Sequence, residues 1–190
     1  MQKRLTLAAA FSSMAVVALM SMNTAHAADG TISIAGAVSD STCSINSVAN
    51  GSPANVAATL PTVSAGALSS AGATAGMSSL GDITLKLSGC SGTATKVVAR
   101  FENGPTVDQG SGNLVNQASA SPAANVQVRL LNQNMQPINI LTNANNDVAS
   151  NGAAISGGAA TLNYFAQYYA TGKASAGSVN TSVQYSVQYQ

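Results

Sequence analysis

The sequence predicts a single all-β domain, an antiparallel sandwich or barrel, and three observations carry that expectation. Short stretches alternate apolar and polar residues with period two, the mark of a strand with one buried and one wet face. Turn-forming residues separate these stretches along the chain. No segment shows the 3.6-residue period of an amphipathic helix.

The chain opens with Lys3 and Arg4, an apolar stretch from Leu5 to Met20, and then "TAHA", which places Ala25 and Ala27 as in a small-residue cleavage site. Residues 1–27 therefore read as a secretory signal peptide, cut between Ala27 and Ala28. A membrane anchor is the alternative for an apolar run of this length. Thr6, Ser12, Ser13 and Ser21 interrupt it, and it leads straight into the cleavage site, so no membrane anchor is expected in the mature chain. The mature chain has 190 − 27 = 163 residues, the size of one domain.

Each later segment follows from its pattern. "TISIAGAVS" puts Ile32, Ile34, Gly36 and Val38 on one parity and small or polar residues on the other. "TCSI" follows at 42–45, and "NVAATLPTV" reads as a strand broken at Pro61. Residues 64–81, with a glycine every few positions, read as loop with room for one helical turn. "DITLKLSGC" alternates again, with Ile83, Leu85 and Leu87 inward and Thr84 and Lys86 outward. "TKVVARF", "NVQVRLLN", "QPINIL" and "ATLNYFAQYYAT" are further strands, and the polar "NANNDVASNGAAISGG" is a loop. The last strand, "SVNTSVQYSVQYQ", has Val179, Thr181, Val183, Tyr185, Val187 and Tyr189 on one parity and only Ser, Asn and Gln on the other. Chain ends fray unless something ties them down, so a strand patterned this far needs a partner.

Charge and composition exclude most chemistry. Charged residues are 7% of the chain, against about a quarter in ordinary domains. Loss of the signal leaves Lys86, Lys96, Arg100, Arg129 and Lys173 against Asp29, Asp40, Asp82, Glu102, Asp108 and Asp147, a net charge of 5 − 6 = −1. No basic patch remains to hold a phosphate backbone, so nucleic acid is not an expected partner. His26, the only histidine, leaves with the signal. That removes a Ser-His triad and any histidine metal site. The acids are scattered, and "NANNDVASNG" lacks the acidic spacing and closing glutamate of a calcium loop. The expectation is no enzyme, no metal and no cofactor.

The two cysteines, Cys43 and Cys90, travel with an exported chain, and an oxidising compartment predicts that they pair. There is no C-x-x-C redox motif, and the mature chain has no histidine to activate a nucleophilic thiol. Two further features bear on the chain ends. Gly36 occupies an inward position where a strand normally carries bulk. Six of the mature chain's aromatics, Tyr164, Phe165, Tyr168, Tyr169, Tyr185 and Tyr189, lie near its end. They suit a core, or a groove edged by the last strand.

Together "GTISIAGAVSDSTCSI", "LKLSGC" and "YFAQYYATGKASAGSVNTSVQYSVQY" resemble the chaperone–usher pilins, and in particular the major subunit of type 1 fimbriae. The resemblance spans the start, middle and end of the mature chain; residues 48–60 and 143–158 are featureless, and "FENGP" follows the pattern loosely. It implies an incomplete immunoglobulin-like β-sandwich lacking its last strand, so that the final strand of the chain borders an open apolar groove. A periplasmic chaperone would lend a strand to that groove and grip the terminal carboxylate at Gln190. At the outer-membrane usher, the N-terminal extension of the next subunit would replace it, giving a head-to-tail polymer at the cell surface. On this sequence the resemblance assigns residues 28–40 to the donor extension and 41–190 to the sandwich. Ile32, Ile34, Gly36 and Val38 would be the donated face, and Val183, Tyr185, Val187 and Tyr189 would flank the groove. A minor adaptor pilin shares the same size and ends, and a freestanding secreted binding module is the remaining alternative.

Overall fold

Strands form where alternation and β-branched or aromatic residues coincide. The structure, a computed structural model, describes residues 32–36, 38 and 40–190; the signal peptide lies outside the described residues. Chain contacts divide the protein into two units, Met1–Ala37 and Val38–Gln190. The strands are β1 (Thr42–Ile45), β2 (Thr74–Ala75), β3 (Ile83–Ser91), β4 (Lys96–Phe101), β5 (Leu114–Val115), β6 (Val126–Leu131), β7 (Ala153–Ala154), β8 (Ala160–Ala170) and β9 (Tyr185–Tyr189).

They make two antiparallel sheets. The larger runs β1–β3–β8–β6–β5, with β2 also pairing with β8, and the smaller runs β7–β4–β9. Inward parity builds the core between them: Leu85 and Leu87 of β3, Val97, Ala99 and Phe101 of β4, Val128 and Leu130 of β6, and Leu162 and Tyr164 of β8 are all buried. Phe101 and Tyr164 meet edge to face with ring centres 5.0 Å apart, a favoured geometry for an aromatic pair. The Tyr164 hydroxyl accepts a hydrogen bond from Ala99 N–H at 3.0 Å, and burial pushes its pKa up to about 12. The fold is thus an immunoglobulin-like sandwich in which, among the described residues, β9 has a neighbour on one side only.

A disulfide joins Cys43 of β1 to Cys90 of β3, 47 residues apart in sequence. Replacing both cysteines by alanine is expected to lower stability by about 4 kcal/mol in the chain-entropy view, read from the denaturation midpoint. The unaltered protein should show no reactive thiol when unfolded without reductant; two reactive thiols would contradict the bridge.

Four segments depart from the sequence expectation. "NVAATLPTV" forms no strand: Pro61 lies within it and Pro53 just before it, and neither can donate to a ladder. "QPINIL" buries Ile138 and Ile140 but makes only isolated bridges. There the Asn139 side-chain oxygen accepts from Leu141 and Thr142 N–H, replacing strand pairing with a local turn. The polar loop holds one helical turn, Val148–Asn151, capped by Asp147 through Ala149 and Ser150 N–H, and the short strand β7, whose Ala153 and Ala154 pair with Val97 and Lys96 of β4. The expected loop at 64–81 holds a single 3-10 turn, Ala65–Leu68, which seats Leu68 in a small second cluster with Ala123, Val126, Ala170 and Ala174, but it is not all loop, because Thr74 and Ala75 pair with Tyr169 and Tyr168 as β2. Gly76, at φ +59°, lies where a Cβ would come within 2.7 Å of the Tyr168 ring, so only glycine fits this close approach.

Candidate functional site: the open edge of the last strand

The register of β9 decides which of its backbone groups are free. Val97 stands opposite Tyr189, Ala99 opposite Val187 and Phe101 opposite Tyr185. At the end of the ladder, Gln190 N–H donates to Lys96 C=O at 3.0 Å and Lys96 N–H donates to Gln190 C=O at 2.9 Å. Bonded and non-bonded pairs alternate in an antiparallel ladder. Gln188 and Ser186 therefore bond to β4, and the N–H and C=O groups of Tyr185, Val187 and Tyr189 point the other way. Among the described residues no strand takes them. The side chains of these three residues are half-buried, whereas Ser186 and Gln188 are exposed. This alternation of burial continues back through Val183 and Thr181 to Val179, although regular pairing begins only at Tyr185.

Beyond this edge lies a groove of about 1260 Å³. Its floor is the sandwich core, including Leu85, Leu130 and Tyr164, and its far wall is β1 with residues 50–60. Two tyrosines of β9 reach that wall. The Tyr185 hydroxyl donates to Ala54 C=O at 2.6 Å. Burial raises the Tyr189 phenol pKa, partly offset by a hydrogen bond from the Cys43 backbone; burial raises that of Tyr185 too. Both phenols are therefore neutral at physiological pH. Such a site offers apolar surface and an unpaired strand edge. Among the described residues, no three His, Cys, Asp or Glu side chains group as a metal site would need, and no helix is long and apolar enough to cross a membrane.

The other sequence-assigned residues lie in the N-terminal stretch. Ile32 is 91%, Ile34 93% and Val38 102% exposed, large apolar residues with no cover. Gly36 has nothing within 4 Å of the position a Cβ would take. Sequence reasoning missed the 50–60 wall; its one signal was the pair of prolines, which argues for an extended segment outside any ladder.

A one-sided last strand over an open core is what an incomplete sandwich leaves behind, and comparison identifies its kind. The family model of type-1 fimbrial protein, A matches residues 60–190. The chain belongs to that family. It is 42% identical to the major fimbrial subunit SMF-1 of Stenotrophomonas maltophilia over 87% of this chain and 95% of that one. It is 38% identical to the F17 fimbrial protein of Escherichia coli, over 92% and 95%. A solved Burkholderia pseudomallei antigen and type I fimbria protein superposes with a TM-score of 0.52 at 27% identity, covering 77% of this chain and 88% of that chain. The type-1 fimbrial protein described here is a structural subunit of a cell-surface fimbrium, a polymer of pilin subunits.

Proposed function

We propose that this subunit forms the shaft of the fimbrium by strand donation. Residues 28–40 of one copy enter the groove of the next, laying Ile32, Ile34, Gly36 and Val38 against the core beside Val183, Tyr185, Val187 and Tyr189. The observation that carries this reading is the unpaired edge of Tyr185, Val187 and Tyr189 above an apolar groove, in a chain that also exposes Ile32, Ile34 and Val38. This is strand addition, the recognition mode for which chaperone–pilin pairing is the standing example. Burying the three large donor side chains contributes at most about 5–8 kcal/mol. The added ladder also removes an exposed edge that invites aggregation. Donation runs head to tail and does not close, so the product is a filament.

Before assembly, a periplasmic chaperone fills the same groove, and the outer-membrane usher hosts the exchange that hands the groove to the next subunit. The signal peptide at 1–27 delivers the chain to that pathway. In cells that lack the subunit, electron microscopy is expected to show the fimbrial shaft gone. Fimbriae of normal length and number would overturn the shaft assignment and leave the adaptor role. A stable monomer obtained without any chaperone would favour a freestanding binding module.

A further inference from the structure

The far wall of the groove is unusually loose for something so close to the core. Residues 53–61 form a strap bounded by two prolines, Pro53 and Pro61. Positions 55–59 are exposed, Leu60 is half-buried and Ala54 is buried at 7% exposure. Among the described residues, no backbone–backbone hydrogen bond involves residues 53–63. Their one hydrogen bond is the 2.6 Å contact in which the Tyr185 hydroxyl donates to Ala54 C=O, between positions 131 residues apart. A segment with few buried apolar contacts and no ladder belongs to the easily opened part of a structure. Leu60 packs against the core at one end of the strap, and at the other end the Tyr185 hydroxyl supplies its one hydrogen bond.

We propose that Tyr185 is a latch: its hydroxyl ties the 53–61 strap to β9 across the groove and fixes the second wall before a strand is donated. The proposal rests on the strand-donation reading for its purpose, since a wall set in advance spares the incoming strand the cost of ordering it. The latch itself is a property of the strap and can be tested without assembly.

The strap offers Val56, Ala57, Ala58 and Leu60 to a protease that cuts beside aliphatic residues. In the full chain, in whatever soluble form the periplasm yields, Tyr185→Phe keeps the ring and removes the hydroxyl. Cleavage within 53–61 is expected to accelerate about 3- to 10-fold, the factor one net hydrogen bond controls. Tyr169→Phe, which changes a tyrosine of β8 that does not line the groove, should leave it unchanged. Cleavage within twofold of the unaltered protein would overturn the latch. A second comparison does not depend on how well Tyr185→Phe folds. In the double variant Ala54→Cys with Tyr185→Cys, bridging the two thiols with a short bismaleimide should slow strap cleavage several-fold against the unbridged sample. Equal rates would also overturn the proposal. The strand-donation reading is overturned instead by loss of the chaperone–subunit complex with Ile34→Asp or by equal fibre loss from Ser33→Asp, neither of which changes strap cleavage, so the two readings fail separately.

Discussion

Removing residues 188–190 is expected to abolish accumulation of the subunit in the periplasm. The deletion takes away the end of the β4–β9 ladder, where Gln190 C=O accepts from Lys96 N–H at 2.9 Å and from Thr95 N–H at 2.6 Å, and where Gln190 N–H donates to Lys96 C=O at 3.0 Å. It also removes the half-buried Tyr189 ring and the free backbone groups of that residue. Backbone hydrogen bonds contribute about 0.5–1.5 kcal/mol each and a buried aromatic about 1.5–3 kcal/mol. Their sum is comparable with the whole stability of a small domain. A strand lent by the chaperone would then find its edge cut to Tyr185 and Val187. Tyr189→Ser separates the two effects, because it keeps the ladder and loses the ring; it should lower accumulation less than the deletion. Immunoblots of periplasmic fractions, with electron microscopy of the cells, give the readout. Normal subunit levels and normal fibres from the truncated chain would exclude this role for the end of β9.

The two faces of the last strand were legible because a strand's period of two allows only two choices; its unpaired edge was not, because alternation sorts side chains and says nothing of which backbone groups find a partner. Val179 to Tyr189 sorted themselves by parity, and burial follows that parity residue by residue, even where pairing has not begun. Leu85 and Leu87 against Lys86 were legible for the same reason. Where both faces of a strand are covered, alternation carries less. Val97 and Val98 are adjacent and both buried, since the core takes one and the other face of β4 lies under the Val148–Asn151 turn, with Val148 packed against the core cluster. Nothing in the polar run before that turn announces a cover. The far wall of the groove was hidden for another reason. Its one hydrogen bond joins Ala54 and Tyr185, and neither residue's neighbours in sequence show that their backbone and side chain meet. Residues 136–141 misled in the opposite direction: Ile138 and Ile140 have strand parity and are buried, yet their N–H groups go to two separate partners, Leu130 and Gly112 C=O, and the Asn139 side-chain oxygen ends the run by accepting from Leu141 and Thr142 N–H.

Ile34→Asp is expected to leave the chaperone-bound subunit intact while reducing fibre yield at least a hundredfold. Ile34 is 93% exposed in its own chain, so an aspartate there meets water and costs the folded subunit little. On strand donation the same position enters an apolar groove, where an unpaired carboxylate is penalised by several kcal/mol or must take up a proton. Three kcal/mol is already about a hundredfold in the exchange equilibrium. Ser33→Asp, one residue earlier, is the control. Its side chain lies on the opposite face of the donated strand, because a shift of one residue reverses which side chains enter the groove, and fibres should form nearly as usual. The measurement is a pair of yields for each variant, soluble chaperone–subunit complex and fibre. Were residues 28–40 packed as a core strand of their own domain, Ile34→Asp would already remove the complex. Were the segment a mere tether, parity would not matter and the two variants would lose fibre alike. Only donation of the Ile32, Ile34, Gly36 and Val38 face predicts an intact complex for both variants and lost fibre for one.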